Sequence, residues 1–237
     1  MKKLILSIAL CCAAISFHAQ NADPAQLVND GKAALEAKNY QEAYDKFSTY
    51  LTQTNNQDSV IAYNCGVCAD KIKRPEEALK YFDIAVQKKY NLANAYIGKA
   101  GALKDLKKND EYVATLKEGL EAVPDNKTLT KLYATYYVNQ GIMAQKAKKI
   151  NDAEEAFKQA IAIQPDNVNA LNSLGSLYYS QGANTLKTDA DKAKGEFKEA
   201  KEYLDKLIPL LSADKPAQKK MMDNAKTMLN FIDTQLK

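Results

Sequence analysis

Apolar and polar positions along this chain follow helical periodicity, and short polar or proline-containing segments interrupt the pattern. Pro75 suits the first turn of a helix, whereas Pro124 and Pro165 each precede an Asp-Asn turn signal. The pattern therefore predicts an all-α chain. Helices are expected near 24–37, 40–54, 58–72, 75–88, 92–107, 109–122, 127–147, 150–163, 167–187, 190–211 and 216–236.

Small residues divide the helical pattern into repeats. They are separated by steps of 35, 34, 41 and 34 residues, at Gly31, Gly66, Ala100, Gly141 and Gly175. After three of these positions an alanine follows at a distance of twelve residues and a phenylalanine four residues later, giving the pairs Ala43 and Phe47, Ala78 and Phe82, and Ala153 and Phe157. An internal period of this length is typical of repeat proteins that stack helical hairpins.

This spacing, with Pro165 closing a unit, resembles the tetratricopeptide repeat (TPR). The resemblance implies a right-handed α-solenoid of about five helical hairpins in one domain, 24–237, with a capping helix at 216–236. The third unit departs from the pattern, since Ala100 replaces glycine and Tyr112 replaces alanine. The implied units lie near 24–57, 58–91, 92–126, 127–166 and 167–212.

Two units are longer than the regular repeat. The step of 41 residues into the fourth unit predicts that its first helix begins early and gains about two turns. In the fifth unit, 25 residues separate Gly175 from Ala200, where the regular units have twelve. This insertion is expected to lengthen both helices of the fifth unit.

The last segment has an apolar face at helical spacing, formed by Met221, Met222, Ala225, Met228, Leu229 and Ile232. Such a face is expected to cap the exposed end of the stacked core. The alternative is an adaptable docking surface, because methionine side chains repack easily.

The first residues have the layout of a secretory signal peptide, predicted over 1–20. Lys2 and Lys3 precede an apolar run that is too short to span a bilayer comfortably, and small residues follow. The protein is therefore expected in the periplasm or outside the cell. Cys11 and Cys12 leave a lipid anchor as an alternative, although Leu10 stands where the lipidation motif prefers glycine or alanine. A buried N-terminal helix is the other alternative.

The amino-acid composition excludes several classes of function. The net charge is +4 over 237 residues, which gives no argument for nucleic acid as a partner. The only histidine, His18, lies in the predicted leader, and tryptophan is absent from the sequence. Histidine-based nucleophile activation and histidine-ligated metals are thereby excluded from the mature chain. We expect no catalytic residues, no metal and no cofactor.

Cys65 and Cys68 form a CGVC sequence that resembles a thioredoxin-type redox pair. That chemistry needs a helix N-terminus, whereas these cysteines fall in the middle of a predicted helix. We expect them to pack as small apolar side chains. A local disulfide remains the alternative.

The TPR resemblance also implies an inner groove lined by the first helix of each unit. The corresponding positions are Val28, Lys32, Tyr63, Val67, Ile97, Gly101, Val138, Ile142, Asn172 and Ser176, together with Asn64. Relatives that clamp a C-terminal carboxylate need cations where this chain has Val28, Asn94 and Gly98, so only Asn64 fits that clamp. Apolar or backbone-mediated contacts are expected instead.

The sequence thus predicts an exported, non-enzymatic scaffold that binds a protein or peptide partner. A self-associating envelope protein and a carrier of a small ligand or glycan are the alternatives. A homo-oligomer is compatible with the pattern, and the mature chain has no predicted transmembrane segment.

Overall fold

Eleven α-helices and one short 3₁₀ helix make up the fold of residues 22–237, the part of the chain that the computed structural model describes. The predicted all-α class is confirmed, and these residues contain no strand. The predicted leader, with Cys11, Cys12 and His18, lies outside the described residues. The helices are α1 (Pro24–Glu36), α2 (Tyr40–Gln53), α3 (Ser59–Lys71), α4 (Pro75–Gln87), α5 (Leu92–Asp105), α6 (Asn109–Ala122), α7 (Lys127–Lys146), α8 (Ile150–Ile163), α9 (Val168–Thr185), α10 (Ala190–Leu207) and α11 (Pro216–Gln235), with the 3₁₀ helix at Ile208–Leu210.

Polar side chains fix several helix starts where the sequence placed them. The Asn126 side chain accepts hydrogen bonds from the backbone N–H groups of Thr128 and Leu129, and Asn167 accepts one from Ala170. These asparagines end the two Asp-Asn turn signals, and they satisfy N–H groups that have no partner within the helix. Pro75 is the first residue of α4, as predicted.

In four hairpins, the lysine two residues after the end of the first helix has a left-handed backbone conformation, which was not predicted from the sequence. At the end of α7, the Lys149 N–H donates to the Ala144 carbonyl at 2.9 Å, and this bond reverses the chain into α8. The position is usually glycine, because a side chain there is strained. The lysines have φ of 58° to 61° and are Lys38, Lys73, Lys107 and Lys148.

The helices pair into hairpins that stack in series. Each helix from α1 to α10 packs against the next one along the chain. The first helices of neighbouring hairpins also touch each other, as α3 with α5, α5 with α7, and α7 with α9. These close approaches put the odd-numbered helices on the inner side of the array and the even-numbered helices on the outer side. The predicted solenoid of helical hairpins is confirmed.

In the regular hairpins, a glycine on the first helix faces a phenylalanine ring on the second. A Cβ atom added to Gly31 would lie 2.5 Å from the Cε1 atom of Phe47, and one added to Gly66 would lie 3.1 Å from Cδ1 of Phe82. Phe47 is completely buried, and Phe82 is 3% exposed. The small residues therefore make room for rings that fill the space between paired helices, as the sequence spacing predicted.

The fifth unit pairs Gly175 with the segment that begins at Ala200, as the sequence spacing indicated. Gly175 faces Leu204 across the hairpin, and the glycine that faces a phenylalanine ring is Gly182, opposite Phe197. Helices α9 and α10 have 18 residues each, and α7 has 20, against 13 in α1. The predicted lengthening of these helices is confirmed, and the added turns carry a glycine–phenylalanine contact, between Gly182 and Phe197, two turns beyond Gly175.

Helix α11 closes the C-terminal end of the core. Ala225 and Ile232 are completely buried against α9 and α10. The half-buried Met221, Met222, Met228 and Leu229 pack around them. An ion pair of 2.6 Å between Lys201 and Asp233 ties α11 to α10. The predicted apolar face is thus used for capping.

Candidate functional site

The inner side of the array contains a cleft between α7 and α9. Its volume is about 300 Å³. Its lining carries no charged side chain and consists of Thr135, Val138, Asn139 and Ile142 from α7 and Asn167, Asn169, Asn172 and Ser173 from α9. We call this space the inner cleft.

Helical spacing explains how these side chains meet. Val138 and Ile142 lie one turn apart on α7 and give the cleft an apolar floor, with Val138 only 5% exposed. Asn169 and Asn172 lie one turn apart on α9 and form the facing wall. The Asn167 side chain is already engaged, because it caps the start of α9.

Three amide groups in the inner cleft are available to a ligand. The side chains of Asn139, Asn169 and Asn172 make no hydrogen bond to any other residue within 22–237. A primary amide has two N–H donors and one carbonyl acceptor. Because both kinds of group stand above an apolar floor, the inner cleft can hydrogen-bond a neutral polar ligand while burying an apolar group of it.

The structure brings three of the sequence-predicted groove residues into the inner cleft, namely Val138, Ile142 and Asn172. Ser176 is half-buried one turn farther along α9. Tyr63 packs edge-on against Phe82, with ring centroids 5.9 Å apart. Val28 and Val67 pack against the N-terminal core, Ile97 packs against the central core, Asn64 is half-buried, and Lys32 and Gly101 are exposed. Their role in partner binding remains a prediction.

Sequence reasoning missed two of the three available asparagines. Asn139 and Asn169 lie outside the family positions that were carried over, yet they flank predicted ones in the segments "VNQ" and "NVNALN". The structure also explains Gly98, which stands where a carboxylate clamp needs a cation. Its missing Cβ leaves room for the end of the Phe82 ring, so a lysine there would displace the core.

The two cysteines of the CGVC sequence are part of the hydrophobic core. Cys65 and Cys68 lie in the middle of α3, are completely buried and are both free thiols. Burial raises the pKa of the Cys68 thiol to about 11 and raises the pKa of Cys65 further. Because the thiolate is the reactive form, both groups are unreactive at neutral pH. The packing role predicted from the sequence fits this environment.

Two other features bear on function. Within residues 22–237, no group of three or more His, Cys, Asp or Glu side chains is placed to hold a metal ion. None of the described helices combines the length and the apolar character needed to cross a membrane.

Comparison with known proteins supports the repeat assignment. The family model described as "TPR repeat" matches residues 146–182, from the end of α7 through most of α9. The structure of YrrB, a TPR protein with a peptide-binding site described as unusual, is 15% identical, with 89% of this chain and 95% of that chain covered and a TM-score of 0.51. That likeness concerns the fold alone. No curated protein matches the sequence.

A solved TPR repeats protein from Bacteroides fragilis NCTC 9343 is far more similar. The two sequences are 49% identical, and the match covers 87% of this chain and 99% of that chain, with a TM-score of 0.70. Identity at this level extends over nearly the whole relative and agrees with the stacked hairpins and glycine–phenylalanine pairs seen here. The chain therefore belongs to the tetratricopeptide repeat family.

Proposed function

We propose that this protein is a non-enzymatic scaffold that binds an extended peptide segment of a partner protein in the inner cleft. The observation that carries the proposal is the set of three unengaged amides, Asn139, Asn169 and Asn172, above the apolar floor of Val138 and Ile142. TPR proteins are generally scaffolds that bind proteins or peptides, and the coarse function follows from the family.

Peptide backbone is the ligand class that suits these groups. An extended strand presents N–H and C=O groups at regular intervals, and it cannot satisfy them internally. An asparagine amide pairs with either group, so Asn139 on α7 and the two asparagines on α9 can bond the strand from opposite sides. The floor then accepts one apolar side chain of the peptide. Since the lining carries no charge, recognition depends little on ionic strength.

The comparison with YrrB supports peptide as the ligand class in a fold of this kind. Its 15% identity carries no residue of its site over to this chain. The inner cleft is therefore proposed from the geometry of α7 and α9.

We also propose that the scaffold is exported and acts in the cell envelope or outside the cell. The supporting features are the two lysines, apolar run and small residues of the N-terminus, together with the Bacteroides relative. Fractionation of the source cells, with mass spectrometry of the mature N-terminus, tests this point. An intact Met1 on protein recovered from the cytoplasm would contradict it.

Peptide selection followed by calorimetry tests the inner cleft. Peptides selected from a random library on the wild-type protein are expected to bind at least about tenfold more weakly to Asn139→Ala/Asn172→Ala. The matched control is Asn184→Ala/Asn224→Ala, which removes two exposed asparagines far from the inner cleft. Circular dichroism checks that both variants keep their helices. Equal affinity of the two double variants would overturn the proposal.

A further inference from the structure

The outer side of the array has a larger cleft, which we call the outer cleft. It opens between α6 and α8, with α7 as its floor, and its volume is about 680 Å³. Its lining consists of Asp110, Val113, Ala114, Tyr136, Tyr137, Gln140, Asn151, Asp152, Glu155, Ala156 and Gln159. None of these residues belongs to the inner cleft.

Two tyrosine rings form the aromatic part of the outer cleft, and packing holds them in place. The rings of Tyr136 and Tyr137 lie 5.4 Å apart at an angle of 83°. Tyr136 also packs on Tyr112 of α6 at 5.9 Å, and Tyr137 packs on Tyr133 at 5.3 Å. The rings are therefore ordered before any ligand arrives, which lowers the entropy cost of binding.

Every charged side chain in this lining is acidic. The residues are Asp110, Asp152 and Glu155, in a chain where 33 lysines and arginines outnumber 29 aspartates and glutamates. Asp110 makes no ion pair with another residue in 22–237, and Glu155 is engaged only by the Gln159 amide at 2.7 Å. The cation nearest to Asp152 is the exposed Lys149, at 3.9 Å. Carboxylates beside tyrosine faces attract a cation by charge and by cation–π contact.

Elsewhere in this protein, a tyrosine ring and a carboxylate together bind a lysine side chain. The Lys158 ammonium lies 5.8 Å from the centre of the Tyr178 ring and donates a 2.7 Å hydrogen bond to Glu154. The outer cleft offers rings and carboxylates of this kind with no lysine or arginine of its own in the lining.

An exposed apolar side chain lies beside the outer cleft. Met143 is 63% exposed, the most exposed of the large apolar side chains in residues 22–237. It lines a smaller hollow that shares Gln140 and Asp152 with the outer cleft. An apolar contact point next to an acidic cleft fits a ligand that is itself amphipathic.

We propose that the outer cleft docks a basic amphipathic segment of a partner protein. A lysine or arginine of that segment enters between the tyrosine rings and the carboxylates, and an apolar residue one or two turns away covers Met143. The charge complementarity of the lining selects this occupant over an acidic or neutral one. The proposal does not depend on the inner cleft, because the two surfaces share no residue.

Two synthetic peptides test the ligand chemistry. One is an amidated peptide of about 14 residues, or four helical turns, built from leucine and lysine at helical spacing. The other has the same leucines with glutamate in place of lysine. Fluorescence anisotropy with wild-type protein is expected to show at least about tenfold tighter binding of the lysine peptide, weakening as salt is added. Equal binding of both peptides would overturn the proposal.

Neutralising variants place the binding site. The triple variant Asp110→Asn, Asp152→Asn and Glu155→Gln is expected to weaken lysine-peptide binding at least about tenfold. The control variant has the same change in net charge at exposed acids elsewhere, Glu76→Gln, Asp191→Asn and Glu199→Gln. It is expected to bind like wild type. Equal weakening in both variants would show non-specific attraction and reject the site.

A space-filling variant tests the cleft without changing charge. Ala114 is exposed on α6 and lines the outer cleft, so Ala114→Trp fills the space and is expected to block the lysine peptide. Ala162→Trp makes the same change at an exposed position outside the lining and is expected to have no effect. Unchanged binding to Ala114→Trp would contradict the proposal. The proposal would also be contradicted if wild-type protein dimerised in sedimentation velocity and Ala114→Trp abolished the dimer, because a second copy would then be the occupant.

Discussion

Gly141 leaves the space that the Phe157 ring fills, since a Cβ on Gly141 would lie 2.5 Å from the Cε1 atom of Phe157. The ring is completely buried between α7 and α8. The same relationship holds between Gly31 and Phe47 in the first hairpin. This contact sets how closely the two helices of a hairpin approach, and it links the sequence repeat to the fold.

The close approach predicts opposite effects for two Gly→Ala substitutions. Gly141→Ala forces Phe157 to move and should lower the free energy of unfolding by about 1–3 kcal/mol. Gly101→Ala has no atom within 4 Å of the new methyl group and should raise it by about 0.5–1 kcal/mol, because alanine favours a helix. Urea denaturation followed by circular dichroism measures both. Shifts of the same sign would contradict this packing account.

The left-handed lysines predict a stabilising substitution. Lys148→Gly removes the strain of a side chain at φ of 60° and should raise the free energy of unfolding by about 0.5–1 kcal/mol. Lys131→Gly, at an exposed position inside α7, should lower it by about 1 kcal/mol. Thermal denaturation compares the two variants. A loss of stability in Lys148→Gly as large as that in Lys131→Gly would rule out strain at this turn.

A hydrogen bond between the fourth and fifth hairpins predicts the effect of removing one hydroxyl. Tyr178 donates to the Glu154 carboxylate at 2.7 Å, and Tyr178→Phe should cost about 1 kcal/mol of unfolding free energy. Although burial favours the neutral acid, the bonds from Lys158 and Tyr178 lower the pKa of Glu154. Tyr203→Phe is the control, because Tyr203 stacks on Tyr178 and its hydroxyl makes no hydrogen bond within residues 22–237. Equal costs for both variants would contradict a role for the bond.

The buried cysteines predict a loss of stability in alkali. A thiol whose pKa is raised on folding keeps its proton in the folded state while the unfolded chain loses it, so unfolding becomes easier as pH rises above the unfolded pKa. For Cys68 the window runs from about pH 9, its ordinary pKa, to about 11. The free energy of unfolding between pH 8 and 9.5 should therefore fall less steeply in Cys65→Ala/Cys68→Ala than in wild type. Parallel pH profiles of the two proteins would contradict this assignment. Tyrosines whose pKa is raised on folding, such as Tyr44, also lower the stability in alkali, but they do so at higher pH and in both proteins.

The fold could be predicted because its signal is local and repeated. Gly31 and Phe47 face each other across a hairpin and lie only 16 residues apart in sequence. Because this spacing recurs, comparing the repeats of the chain with one another reveals it. In the fifth hairpin the sequence correctly aligned Gly175 with Ala200, whereas the glycine–phenylalanine contact within its inserted turns was not predicted. That contact joins Gly182 and Phe197, which are 15 residues apart, and this spacing was the available signal.

The sites were less predictable because they depend on how separate hairpins face each other. Val138, Ile142 and Asn172 were predicted from family positions, whereas Asn139 and Asn169 enter the inner cleft only through the crossing of α7 and α9. The outer cleft depends on the distance between α6 and α8, to which no local pattern corresponds. Asp110 and Glu155 look like ordinary surface acids in the sequence.

The most direct test of the peptide-binding account is the NMR signal of the asparagine side-chain amides. During titration with a peptide selected on the wild-type protein, the NH₂ resonances of Asn139, Asn169 and Asn172 are predicted to shift and saturate together with the binding curve. The resonances of Asn184 and Asn224 should stay in place. Saturable binding that leaves the three amides of the inner cleft unshifted would contradict the account.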